Sequence, residues 1–145
     1  MKQPILLSAL LLVGCAEGPP TRGVPTTFAA VCDKANEGKR MALEGYVDFP
    51  EHFKGKDLTI MMRLRPEFDS RDRVVGVSAR LGKGPNHIEK PPVSYTVRDI
   101  RLNTTDGKVL GYRDKVMVSG TMYYPLVAQE FKCGLTNTLI ESPGQ

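Results

Sequence analysis

The sequence predicts an all-β domain: a small five-stranded barrel with a short N-terminal helix and an inserted hairpin. Three observations predict it. Apolar and polar residues alternate with period two over several short runs, the pattern of half-buried strands. Glycine stands inside the first and fourth runs, at Gly45 and Gly120, where a bend at a barrel corner suits it. The runs are few and short, so closure into a barrel hides edges that a flat sheet would leave unpaired.

The first residues lie outside this domain. Lys2 precedes an apolar run at 5–13 (ILLSALLLV). Nine residues span only about 14 Å as a helix, and a bilayer needs about 20 residues. The run therefore reads as a targeting segment rather than a membrane span. An ordinary signal peptide explains the charge and the apolar core, but not the cysteine that follows. Leu12-Val13-Gly14-Cys15 resembles the lipobox of bacterial lipoproteins. The resemblance implies removal of residues 1–14 and acylation of Cys15, palmitate included. Several chains anchor stably, because each buried methylene contributes about 0.8 kcal/mol. Ala16 in place of aspartate implies, by the enteric sorting rule, the outer membrane. The expected location is thus the bacterial cell envelope, with the lipid as the membrane partner.

Residues 15–25 follow as a flexible tether, because 16–25 (AEGPPTRGVP) hold three prolines and two glycines. The folded domain is expected over 26–145. Phe28, Val31, Cys32 and Ala35 recur at helical spacing, with Thr26 or Thr27 as cap and Gly38 as stop. Met41, Leu43, Gly45, Val47 and Phe49 then alternate as the first strand, ended by Pro50. Lys54-Gly55-Lys56 turns the chain into a second strand carrying Leu58, Ile60, Met62 and Leu64. Val75, Val77, Ala79 and Leu81 mark the third. Residues 82–92 (GKGPNHIEKPP) read as a loop. Residues 99–110 read as a hairpin around Thr105-Asp106-Gly107, where Asp-Gly tolerates positive φ. Residues 115–124 make the fourth strand and 133–141 the fifth.

Two segments then carry a resemblance. Residues 38–45 (GKRMALEG) look like the first strand of OB-fold domains, and 114–120 (DKVMVSG) like the fourth. The likeness covers roughly 38–142 and extends, more distantly, to small periplasmic OB-fold proteins. The chain departs from the pattern between strands three and four, where many OB-folds carry a helix and this one a hairpin. An immunoglobulin-like sandwich would want about seven strands and a buried tryptophan, and the chain has no tryptophan.

Of the three cysteines, lipidation of one leaves Cys32 and Cys133. Outside the cytoplasm such a pair is expected to oxidise. The bridge would close a loop of roughly 100 residues, worth up to ~4.7 kcal/mol in the chain-entropy model. A metal site is the competing use. His52 and His87 are the only histidines, and neither lies at ligand spacing from a cysteine. No metal or cofactor is expected.

Charge speaks against one function class. Loss of Lys2 leaves 19 of the 20 basic side chains against 16 acidic ones. Arg63, Arg65, Arg71, Arg73 and Arg80 are interleaved with Glu67, Asp69 and Asp72, not gathered into the stripe that nucleic acid wants. Catalytic constellations are also missing. The chain has no Gly-x-Ser-x-Gly elbow and no phosphate loop, and Glu44 and Asp48 stand about 13 Å apart on one strand. The expectation is a non-catalytic binding module for an envelope protein or glycan, with nucleic acid disfavoured. Its ligand face would be the outer side of strands one to three, carrying Tyr46, Met61, Arg63, Arg65 and Arg80, the surface that OB-folds use. The alternative is a structural accessory subunit of an envelope complex.

Overall fold

The computed structural model describes residues 18–49 and 58–144. Nine strands follow in chain order: β1 (Val24–Pro25), β2 (Arg40–Asp48), β3 (Thr59–Arg65), β4 (Val75–Arg80), β5 (His87–Ile88), β6 (Leu102–Asn103), β7 (Val109–Leu110), β8 (Lys115–Tyr123) and β9 (Gly134–Glu141). Five of them form a closed barrel in the order β2-β3-β4-β9-β8, with β8 returning to β2. β4 and β9 pair in parallel and the other barrel neighbours are antiparallel. The order is compatible with an OB-fold.

Alternation builds the barrel as the sequence predicts. Met41 and Leu43 of β2, Ile60, Met62 and Leu64 of β3, Val75 and Val77 of β4, Val116 and Val118 of β8, and Leu135 and Ile140 of β9 share one core. β2 must serve two partners. Its residues 40–46 pair with β8, and 46–48 pair with β3. Gly45 sits at that changeover, where a Cβ would lie 2.5 Å from the Arg65 carbonyl oxygen and 2.8 Å from the Phe28 ring. Gly120 stands in β8 where the pairing with β9 slips register. A Cβ there would meet Leu135 at 2.8 Å, opposite a register shift in β9.

The inserted hairpin is present and has a third member. β6 pairs with β7, and β5 pairs with β6. β5 falls in the stretch that composition assigns to a loop. Ile88 and Leu102 of this small sheet, with Ile100 just before β6, join the barrel core. Burying them explains why two residues of a Gly/Pro-rich stretch form a strand: tertiary packing outweighs local propensity.

The expected N-terminal helix is replaced by tight turns and a 3-10 turn at Lys34–Asn36. Its apolar face is still buried, with Val31 fully so and Phe28 and Cys32 packed on the core. The helical hydrogen-bond ladder is diverted to other partners. The Cys32 carbonyl accepts from the Tyr124 hydroxyl at 2.5 Å, and the Ala30 carbonyl accepts from the Asn36 side chain at 2.8 Å. Asp33 is extended at ψ 141, which stops the turn before a helix propagates. Cys32 and Cys133 are disulfide-bonded across a separation of 101 residues.

The segment expected as a tether meets the barrel before it ends. β1 pairs in parallel with β2 through Val24↔Met41 and Pro25↔Ala42. The Gly23 N–H donates to Ser119 Oγ at 3.0 Å, and Arg22 grips Glu141 through two bonds of 3.0 and 2.5 Å. That grip raises the Arg22 pKa, first by the hydrogen bond and then by the carboxylate charge. Residues 1–17, with the lipobox and Cys15, lie outside the described residues, as does His52.

Candidate functional site

The register places the expected ligand face on the outer side of β2, β3 and β4. Tyr46 stands opposite Arg65 on one side and Lys115 on the other. Arg63 stands opposite Asp48, Met61 opposite Ser78, and Arg80 opposite Thr59. Met61 is exposed on the middle of the wall. Arg80 lines a different, polar groove with Thr59, Ser78 and Asn86. The five residues share the outer face of the wall, but the grooves divide them: Tyr46 and Arg65 line one and Arg80 the other.

Arg63 and Arg65 are engaged within the chain. Arg63 donates to Glu130 at 2.5 Å and to the Phe49 carbonyl at 3.2 Å, and it lies 3.3 Å from Asp48. Arg65 donates twice to Asp48 Oδ2, at 3.2 and 2.7 Å, and also to the Ser70 carbonyl. A guanidinium has five N–H donors in a fixed fork. Arg65 uses its fork to brace the loop after β3 against the end of β2.

That brace holds Phe68, which the sequence does not nominate. Phe68 meets Tyr46 edge-on, with centroids 6.2 Å apart at 90°, and Tyr112 at 5.2 Å and 79°. Edge-to-face geometry aligns ring edge with ring face and adds about 0.5–1.5 kcal/mol per pair beyond area burial. The three rings come from β2, the β3–β4 loop and the β7–β8 turn, which no local pattern connects.

Cations ring the trio. The Arg113 guanidinium lies 4.6 Å from the Phe68 centroid and 5.5 Å from that of Tyr112. Lys115 lies 5.7 Å over Tyr46, and Arg98 6.0 Å from Tyr112. Arg98 is presented by a 3-10 turn, Val97–Asp99, closed by a capping box between Thr96 and Asp99. Arg113 holds a left-handed backbone, φ 71, in a turn where the Asp114 carboxylate accepts from the Gly111 N–H at 2.8 Å. Such a backbone is uncommon for a residue with a Cβ and tends to mark turns and functional sites.

Beside the rings runs a groove of about 390 Å³, lined by Tyr46, Asp48, Arg65, Phe68, Asp69 and Arg71, with Val97 and Tyr112 completing it. Clefts of about 300–1,000 Å³ are the usual size for small-ligand sites. Lys115 pairs with Glu44 at 3.3 Å and Asp48 is held by Arg63 and Arg65. Arg71, Arg98 and Arg113 carry no ion pair among the described residues, against one unpaired lining carboxylate, Asp69. Among the described residues no three His, Cys, Asp or Glu side chains gather into a metal-binding group.

The fold and groove together define a small closed β-barrel with an aromatic, cation-rimmed cleft between one wall and two loops. Compared with protein-family models, with curated proteins and with solved structures, the chain matches none.

Proposed function

We propose that the chain is a lipid-anchored lipoprotein of the bacterial cell envelope, and that its OB-fold-like barrel is a non-catalytic binding module for an envelope glycan or protein. The groove beside Tyr46, Phe68 and Tyr112 carries this reading, because it offers apolar ring surface and unpaired cations on one rigid frame. Support for the location comes from the sequence Leu12-Val13-Gly14-Cys15 and from a disulfide, which suits an oxidising compartment.

Two measurements test it. Metabolic labelling with an alkyne fatty acid is expected to tag the protein, and Cys15→Ser is expected to lose both tag and membrane fractionation. An untagged wild-type protein removes the anchor. The purified barrel is expected to sediment with cell-wall sacculi or outer-membrane fragments, and Tyr46→Ala with Tyr112→Ala to release it. Retention of the double variant removes the groove.

An accessory subunit of an envelope complex is the second reading. It is favoured by Leu126 and Val127, which are 104% and 71% exposed between β8 and β9. Under that reading Leu126→Ser with Val127→Ser, rather than the groove variant, abolishes envelope association.

A further inference from the structure

We infer that the groove between Tyr46, Phe68 and Tyr112 takes a saccharide carrying anionic groups, an inference that rests on the binding-module reading above. Three properties of the groove point the same way.

The first is the ring surface. Tyr46 and Tyr112 flank Phe68 at the groove, with Val97 beside them. The C–H face of a pyranose is apolar and flat, and aromatic rings cover it well. The second is the carboxylates. Asp48 and Asp69 both line the groove. A carboxylate accepts hydrogen bonds from hydroxyl groups, which a sugar supplies on every ring. The third is the unpaired cations, Arg71 on the groove wall and Arg98 and Arg113 at its rim. Guanidinium groups match planar anions in a two-bond fork. Among the described lining residues only Asp69 stands against them without a partner, so this part of the groove favours a ligand that brings negative charge.

The rim is also arranged before a ligand arrives. Arg113 is held over two rings, and Arg98 near one, by contacts within cation–π range. Side chains already restrained lose less freedom on binding, which raises affinity without new contacts. The left-handed backbone at Arg113 fits this picture, because strain of this kind persists where surrounding structure and function demand it.

The test uses trigalacturonate, its uncharged counterpart galactotriose, a hexathymidylate and a hexaglutamate peptide as probes. Each is titrated into the purified disulfide-bonded barrel and followed by NMR shifts and calorimetry. Trigalacturonate is expected to shift the groove resonances and to bind at least about tenfold more tightly than galactotriose, the worth of one charge-assisted hydrogen bond. Arg113→Gln and Tyr112→Ala are each expected to weaken it about tenfold, while Arg80→Gln in the other groove leaves it unchanged. Far-UV circular dichroism identical to wild type shows that each variant is folded. Equal binding of the two trisaccharides overturns the anionic requirement and leaves a glycan module standing. Equal or tighter binding of hexathymidylate or hexaglutamate overturns the saccharide. If no probe binds but the barrel still sediments with envelope through Tyr46 and Tyr112, this inference fails and the binding-module reading survives. If that sedimentation is also absent, both fail.

Discussion

The arginines of the barrel wall and those of the loop rim present the same chemistry in opposite states. Arg63 and Arg65 on β3 are 23% and 16% exposed at their side chains, and their forks are engaged with Asp48, Glu130 and backbone carbonyls. Arg71, Arg98 and Arg113 lie on the flanking loops and carry no ion pair among the described residues. The wall arginines hold loops to strands, and the rim arginines remain available. A residue's capacity to bind lies in what folding leaves unpaired, so the side chains that build a site are often not the ones that touch its ligand.

The largest expected effect breaks both regions together. Cys32→Ser with Cys133→Ser releases a 101-residue loop, and in the chain-entropy model stability falls by up to about 4.7 kcal/mol. Urea denaturation of the double variant beside the oxidised wild type measures it. Equal midpoints would show that the barrel does not depend on the staple.

A smaller effect separates wall from rim. Arg65→Met leaves Asp48 and the Ser70 carbonyl without their shared donor, at a cost of about 1.5–3 kcal/mol. Arg113→Gln touches only ring contacts and should stay within about 0.5 kcal/mol of wild type. The same denaturation curves rank them, and a reversed order would erase the distinction between brace and rim.

The smallest effect concerns acid. Asp106 in the β6–β7 turn has its pKa lowered from 3.8 to about 2, first by the Thr104 hydroxyl, and also by the Ser142 N–H, which donates at 3.2 Å. A depressed carboxyl stabilises the fold above its unfolded pKa and loses that contribution as pH falls through the folded one. Wild type should therefore melt above Asp106→Asn at pH 5, and the gap should close between pH 3.8 and about 2. A gap that does not change over this range would show that the turn does not depend on the charge.

Much of the fold was legible because it rests on periodicity. Met41-x-Leu43 and Ile60-x-Met62-x-Leu64 alternate, and alternation buries one face whatever the tertiary detail. Gly45 and Gly120 were legible as corners because few other causes place glycine inside a strand. The helix over Phe28, Val31, Cys32 and Ala35 was misread. A helical apolar stripe and a set of tight turns can bury the same side chains, and the choice was made by Tyr124 and Asn36, which take up the Cys32 and Ala30 carbonyls. The β5 strand was missed because its reason is Ile88 entering the core against Leu102, fourteen residues away.

The site was legible only in part. Tyr46 stands out in the sequence as an aromatic on the outward face of a strand, and in the structure it lines the groove. Phe68 and Tyr112 do not stand out, because each lies in a turn with no pattern of its own, and only closure of the barrel brings them within ring contact of one another.

By itself, then, the sequence determined the five barrel strands and their bends, because these follow from local periodicity and composition, and it singled out Cys32 and Cys133 as the pair to join. The tertiary structure alone decided which arginines are consumed and which remain free. Pairing depends on distances between residues far apart in the chain, and Arg63 meets Glu130 across 67 positions.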